Sequence, residues 1–178
     1  MKRKLRILSV AAAVIAAAAA ALVFAPPLQP DTRIVNEIAI ARPPQQVYDY
    51  VTTPANWPRW HHSSLAVRGA TDHSLALGES VVEDFVVAGS RGTVTWTAVV
   101  REPPVRWSIE GKNVGSRGGG TVTYTLRPDG AGTRFERVLT YRMPNLLAAI
   151  LDHFGIRERV AAESAEAVAR LKAELEKR

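Results

Sequence analysis

Residues 93–100, TVTWTAVV, and residues 121–126, TVTYTL, lie within the stretch that decides the fold, Glu79–Tyr141. In both segments threonine alternates with apolar or aromatic residues, which occupy the even positions. A period of two with β-branched residues on one side is typical of antiparallel strands that have one buried and one solvated face. We therefore expect Glu79–Tyr141 to form four antiparallel strands joined by three tight turns.

The large residues of this stretch share one side of the expected sheet. Glycine- or proline-rich segments at residues 88–92, 102–104 and 128–132 supply its turns. The aromatic residues on the inner side are Trp96, Trp107, Tyr124, Phe135 and Tyr141. Because a sheet buries its apolar face against another element, a covering element is expected elsewhere in the chain.

The C-terminal part of the chain supplies this cover. After Met143 the apolar period changes from two to that of a helix, and Gly155 is expected to kink or break the helix. The first segment places Leu147, Ile150, Leu151 and Phe154 on one face. The second segment, from Arg157 onward, has an apolar stripe formed by Val160, Ser164, Val168, Leu171 and Leu175. A long amphipathic helix is therefore expected to pack on the sheet.

Composition favours a single globular domain. The chain has 178 residues, of which 47% are hydrophobic and 22% charged. Its net charge is +6, but Lys2, Arg3, Lys4 and Arg6 supply four of these charges and residues 1–25 contain no acid. The remaining residues therefore carry only +2, and nucleic acid is not expected as a partner.

The N-terminus resembles a targeting segment. Four basic residues precede Ile7–Ala25, in which Ser9 is the only polar residue. This run is long enough for an uncleaved membrane anchor, whereas its small residues also fit a cleaved signal peptide. Either alternative sends the following domain out of the cytoplasm, at the extracytoplasmic side of the membrane or as a secreted or periplasmic protein. The expected division is a targeting segment at residues 1–25, a proline-rich spacer at 26–31 and one domain at 32–178.

The segment between the spacer and the meander completes the order of elements. Arg33–Ile40 is expected to form the first strand, Pro44–Val51 a helix and Pro54–Trp60 a second short helix. The fold class is therefore α+β: a curved antiparallel sheet of about seven strands around a long C-terminal helix, with two short helices after the first strand and an apolar helix before it.

Three sequence motifs resemble the START-like (SRPBCC) superfamily, in its polyketide cyclase/dehydrase-type branch. They are IAI followed by ARPPQQVYDYV at residues 38–51, PANWPRWH at 54–61 and EPPVRW at 102–107. The resemblance covers about residues 33–176 and implies a helix-grip fold, in which sheet and last helix enclose an elongated apolar cavity. It further implies a hydrophobic or amphipathic small molecule as ligand, either lipid-like or aromatic.

The residues expected to contact this ligand come from the inner face of the sheet and from the C-terminal helix. They are Glu83, Phe85, Trp96, Trp107, Tyr124, Arg137, Tyr141, Leu147 and Leu151. Glu83 and Arg137 have the parity of the apolar side, where an unpaired charge is costly. Three alternatives stay open: the two groups pair with each other or with hydrating water, they bind a ligand head group, or a bulge shifts the parity of one strand.

The sequence contains no recognisable catalytic constellation. It has no cysteine, no Gly-x-Ser-x-Gly elbow and no dinucleotide fingerprint at Gly118-Gly119-Gly120, because a strand follows these glycines. His61, His62 and His73 are interpreted as loop and surface residues, so no metal or other cofactor is expected. We therefore expect a monomeric binding or carrier domain. The alternatives are a cyclase/dehydrase-type enzyme that uses Glu83, Arg137 or a tyrosine of the cavity, and an interaction domain with a collapsed cavity.

Overall fold

The computed structural model describes residues 2–28 and 31–177. The strands are β1 (Thr32–Ile40), β2 (Ser64–Gly69), β3 (Ser80–Val87), β4 (Ser90–Glu102), β5 (Arg106–Asn113), β6 (Gly119–Asp129) and β7 (Gly132–Arg142). The helices are α1 (Lys2–Phe24), α2 (Pro44–Thr52), α3 (Trp57–Trp60), α4 (Leu146–Leu151) and α5 (Arg157–Glu176), with a 3₁₀ turn at Pro54–Asn56 and a π-helical segment at Asp152–Ile156.

The seven strands form one antiparallel sheet in the order β1-β7-β6-β5-β4-β3-β2. The expected α+β helix-grip architecture is confirmed. Register shifts between Ser64 and Ala66 and between Ala98 and Val100 interrupt the ladders of β2–β3 and β4–β5. Such bulges increase local twist and bend the strands, which helps a sheet to curve around a helix.

The stretch at residues 79–141 forms five strands, and the expectation of four was wrong. The additional strand is β5, whose outward residues are polar and whose inward run ends at Gly111 and Asn113. Since the apolar alternation stops after Ile109, the sequence pattern of β5 is weak. β5 is held as a strand by its backbone pairing with both β4 and β6, which the sequence pattern does not show.

Helices α2 and α3 close one end of the sheet. Val47, Tyr48 and Val51 of α2 are fully buried, as the expected amphipathic pattern requires. Trp57 and Trp60 of α3 are also buried, and the Trp57 indole N–H donates to the carbonyl of Val51 at 2.9 Å. This bond fixes the two short helices to each other.

The C-terminal helical segment lies across the inner face of the sheet. Its break is at Gly155, which has a φ of 150° and therefore adopts a conformation that few residues other than glycine reach. The buried Asp152 accepts hydrogen bonds from Thr32 Oγ1 (2.9 Å) and Tyr141 Oη (2.6 Å) and lies 3.4 Å from Arg157 Nη2. These contacts hold the broken segment against β1 and β7.

Helix α4 does not present the face that the sequence pattern predicted. Leu147, Leu151 and Phe154 are exposed, and Phe154 keeps 80% of its surface accessible. Ala149 is buried instead, and Ala148 faces the space beneath the helix. The spacing of the apolar residues correctly indicated a helix, but the small residues of α4 are the ones that pack toward the sheet.

Residues 7–24 belong to α1, and the backbone oxygen of Ala25, directly after the helix, accepts a hydrogen bond from the N–H of Leu146 at 3.0 Å. Within residues 2–28 and 31–177, no helix combines the length and the apolar character needed to cross a membrane. The structure therefore gives no support to the expected membrane anchor. Gln29 and Pro30 of the expected spacer lie outside the described residues, and the domain division and the extracytoplasmic location stay predictions.

Candidate functional site

A cavity of about 490 Å³ lies between the inner face of the sheet and the C-terminal helices, and it is partly open to solvent. Residues of β3 to β7 form its main wall, and Ala148, Ile156, Val160 and Ser164 form the opposite side. The loop between β5 and β6, which contains Val114 and Ser116, contributes to one end. The sheet and the last helix thus enclose a space instead of packing flat against each other.

Aromatic side chains form much of the cavity wall. Trp60 and Tyr124 line the cavity and meet edge to face with ring centroids 6.4 Å apart, and Phe135, which does not line it, packs with its ring 5.2 Å from that of Tyr124. Behind the wall, Trp107 stacks on Tyr124 at 5.3 Å. Because these rings support one another, the wall is a preformed apolar surface.

Two glycines allow further aromatic rings to lie close to the sheet. A Cβ atom at Gly92 would lie 2.5 Å from the ring of Phe85, and one at Gly111 would clash with the indole of Trp96. The rings of Phe85 and Trp96 therefore cover the inner face of the sheet at Gly92 and Gly111. In this position the Trp96 indole N–H donates to Glu83 Oε2 at 2.6 Å.

Glu83 lies on the inner face of β3 and keeps only 9% of its surface accessible. Burial raises the pKa of its carboxyl group above the ordinary value, because the charged form loses hydration. The charge of Arg137 and the Trp96 hydrogen bond oppose this effect. Glu83 can therefore keep its proton in conditions where an exposed glutamate is ionised.

Arg137 lies on the inner face of β7, between Asn36 of β1 and Tyr124 of β6, and is 4% exposed. Its Nη1 donates to Ser164 Oγ at 2.6 Å, and its Nη2 lies 3.2 Å from His61 Nε2. Ser164 in turn donates to Asn36 Oδ1. Both Glu83 and Arg137 face inward as their parity indicated, but they do not form a direct ion pair among the described residues.

His61 lies in the loop after α3 as expected, but it is only partly exposed and belongs to this polar group, which its interpretation as a surface residue did not foresee. It follows the last residue of α3 and lines the cavity next to Arg137. Burial, together with the positive charge of Arg137, lowers the pKa of the imidazole to about 3. His61 is therefore neutral at physiological pH and can accept the hydrogen bond from Arg137.

Sequence signals for the supporting residues existed but were not used. Ser164 interrupts the apolar stripe of α5, and Asn36 shares the inward parity of Ile34 and Ile38 on β1. A polar residue on a buried face requires a partner, and here the two residues bond to each other. The sequence pattern shows that Ser164 and Asn36 are polar residues on apolar faces. Only the tertiary structure shows that Arg137 bonds to Ser164 and is thereby linked to Asn36.

The residues that the sequence singled out for ligand contact separate into two groups. Those that line the cavity are Glu83, Phe85, Trp96, Tyr124, Arg137 and Tyr141. Trp107 lies behind the wall, because Tyr124 and Trp57 cover it, and Leu147 and Leu151 lie on the outer side of α4. A contact of any of these residues with a ligand stays a prediction.

Two of the other histidines lie near surface carboxylates, and His62 Nε2 is 3.8 Å from Glu166 Oε1. His73 lies 2.8 Å from Asp72 and 3.0 Å from Glu79, and all three groups are solvent-accessible. Hydrogen bonds that His73 donates to these carboxylates raise the pKa of its imidazole above the ordinary value. The described residues contain no group of three or more histidine, aspartate or glutamate side chains arranged to hold a metal ion.

Acid should destabilise the domain through His61. Between pH 6.5 and about 3 the unfolded chain binds a proton at this position and the folded chain does not, so the free energy of unfolding falls as the pH falls. Glutamine does not titrate, so the His61→Gln variant takes up no proton at this position when it unfolds. The loss of unfolding free energy between pH 7 and pH 5 should therefore be smaller by about 1–2 kcal/mol in the variant, as measured by urea unfolding.

Glu83 acts with the opposite sign, because its raised pKa gives a stabilising contribution at low pH that is lost as the pH rises through the folded-state pKa. This contribution is present in both proteins and largely cancels in the comparison. Equal pH slopes in the wild type and the His61→Gln variant would show that His61 is not held neutral in the folded state.

Residues 31–176 match the protein family described as polyketide cyclase / dehydrase and lipid transport. Among solved structures, TTHA0849 from Thermus thermophilus is 14% identical with a TM-score of 0.66, covering 81% of this chain and 97% of that chain. CV1439 from Chromobacterium violaceum is 17% identical with a TM-score of 0.62, covering 82% and 98%. DynU16, a protein of the dynemicin biosynthetic locus, is 18% identical with a TM-score of 0.59, covering 83% of this chain and 48% of its own. At these identities the structures show the fold alone, and no curated protein matches the sequence.

Proposed function

The chain belongs to the polyketide cyclase/dehydrase and lipid transport family, and from this premise we propose that residues 32–178 bind a hydrophobic or amphipathic small molecule between the sheet and the C-terminal helices. The observation that carries this proposal is the cavity of about 490 Å³ with its aromatic wall. Cavities of this size are typical of small-molecule sites. The domain then acts as a carrier or binding module for a lipid-like or aromatic compound.

The chemistry of the wall indicates how such a ligand is oriented. Its apolar body lies along Trp60, Trp96 and Tyr124, and its polar end lies near Glu83 and Arg137. Each CH₂ group that leaves water contributes roughly 0.8 kcal/mol before the costs of association. A ligand with a medium-length chain can therefore bind with a Kd in the micromolar range, which corresponds to about 8 kcal/mol.

Tryptophan fluorescence tests the proposal directly, because Trp57, Trp60 and Trp96 line the cavity. Titration of the full-length chain with decanoic acid and with 1-decanol, below the concentrations at which they aggregate, should give a saturable change in emission for at least one of them. The expected stoichiometry is one ligand per chain. Emission that stays unchanged with both compounds would contradict the proposal.

A second candidate function is supported by the two titratable groups on the cavity wall. Burial moves the pKa of His61 down to about 3 and raises the pKa of Glu83 above its ordinary value, so the cavity holds a neutral imidazole beside a carboxyl group that binds its proton more tightly than an exposed one. Such a pair can accept and donate a proton in general acid–base catalysis. A cyclase/dehydrase-type enzyme acting on a polyketide-like substrate is the alternative that this pair favours.

Turnover of a short poly-β-ketone thioester separates the two functions. An enzyme should convert it to a cyclised or dehydrated product, detectable by mass spectrometry. The His61→Gln and Glu83→Gln variants should then lose most of the rate while they still bind the substrate. Binding of the thioester without any product would leave the carrier function as the better account.

A further inference from the structure

The cavity holds a buried positive charge that no carboxylate of the described chain neutralises at contact distance. Arg137 has no aspartate or glutamate oxygen within 4.0 Å among residues 2–28 and 31–177. Arginine side chains carry their positive charge in proteins whether they are exposed or buried. A buried charge without a counter-ion is destabilising, and the structure keeps this one beside the cavity.

The hydrogen bonds of Arg137 are incomplete and go to neutral groups. Its N–H groups reach Ser164 Oγ and His61 Nε2 and interact with the Tyr124 hydroxyl group, while Nε has no partner among the described residues. A guanidinium has five N–H donors, so donor capacity remains for another group. Because the neutral His61 ring accepts at Nε2, its own proton is on Nδ1, which also has no partner in the described chain. Donors are thus in excess in this part of the wall.

The carboxyl groups of the same wall already have partners. Glu83 accepts the Trp96 indole N–H. Glu163 accepts from Ser63 Oγ at 3.1 Å and from the backbone N–H of Ala88 at 2.9 Å. Neither group satisfies the free donors of Arg137, and an acceptor from outside the chain would.

We propose that the ligand carries a carboxylate and that Arg137, with His61 beside it, is the residue that binds this group. The proposal rests on the function proposed above and names the class of ligand: amphipathic carboxylic acids with an aliphatic or aromatic body. The planar guanidinium suits a carboxylate because the two groups can form two parallel hydrogen bonds. Ser164 and Asn36 position Arg137 from the opposite side.

Three ligands with the same chain and different head groups test the proposal: decanoate, 1-decanol and decyltrimethylammonium. Their Kd values are measured at pH 7.5 with the full-length protein by tryptophan fluorescence. Decanoate should bind roughly 10- to 100-fold more tightly than the alcohol, because a charge-assisted hydrogen bond replaces a neutral one. The cation should bind most weakly.

The variant Arg137→Met should reduce the preference for decanoate over decanol to within about threefold, chiefly because decanoate binds more weakly. Arg134→Met is the matched control, since Arg134 lies on the same strand but is exposed and pairs with Glu37 and Asp129. This control should keep the full preference, which excludes a general effect of net charge. The ratio of acid to alcohol in the wild type tests the proposal even if Arg137→Met does not fold.

The outcomes separate this proposal from the proposed function. Equal affinity of all three ligands in the wild type would overturn the carboxylate site and leave the binding function in place. A preference for decanoate that survives in Arg137→Met would also overturn it. If none of the ligands binds, both the carboxylate site and the binding function fail.

Discussion

Replacing Phe135 with alanine should lower the free energy of unfolding by about 3–5 kcal/mol, the cost typical of removing a fully buried aromatic ring. Phe135 has no accessible surface, and its ring lies 5.2 Å from that of Tyr124, on the inner face of β7. Its loss leaves space between sheet and helices that α5 cannot fill without moving. For a domain of this size the melting temperature should fall by roughly 6–20 °C.

Phe154→Ala is the matched control for this prediction. The same atoms are removed, but Phe154 is 80% exposed in the π-helical segment, so the change should cost less than about 0.5 kcal/mol. Urea unfolding followed by circular dichroism measures both variants. A similar loss of stability in the two proteins would contradict the assignment of the core to the inner face of the sheet.

Replacing Val122 with tryptophan should block the cavity. Val122 lies on the inner face of β6 between Ile109 and Leu139, and its side chain lines the cavity. An indole at this position takes up much of the space that a ligand needs, so affinity for decanoate should fall at least about 30-fold, or about 2 kcal/mol. Because the indole enters space that is not filled by protein, the free energy of unfolding should fall by less than about 2 kcal/mol.

Val35→Trp is the control for this substitution, because Val35 lies on β1 with 43% of its surface exposed. Ligand affinity should be unchanged in this protein, as measured by calorimetric titration with decanoate. If Val122→Trp binds decanoate as tightly as the wild type does, the ligand occupies a different site.

The sheet could be predicted from sequence where its strands alternate regularly. Thr93–Ala98 and Thr121–Leu126 have one apolar and one threonine face, and their even residues lie on the inner face as expected. Val100 does not, because the register shift after Ala98 pairs it with the outward Ser108. The same rule placed Glu83 and Arg137 on the inner face. In a regular strand, the face on which a side chain lies follows from its position in the alternation, so the local sequence is sufficient to predict it.

The shape of the site depends on distances between elements, which no local pattern contains. Trp107 has the inward parity of a residue in the cavity wall, but Trp57 of α3 packs on it at 6.3 Å and removes it from the wall. Leu147 and Leu151 have helical spacing, but the rotation of α4 places them outside. His61 joins the site only because α3 ends beside Arg137. Such long-range packing decides which inward residues meet a ligand.

Native mass spectrometry of the full-length chain with decanoic acid tests the central claim, that the space between sheet and helices is a ligand site. Spectra are recorded for the wild type and for Val122→Trp at the same ligand concentration. The expected result is a complex with one decanoate per wild-type chain that is absent, or strongly reduced, in the variant. No complex with the wild type, or equal complexes with both proteins, would contradict the claim.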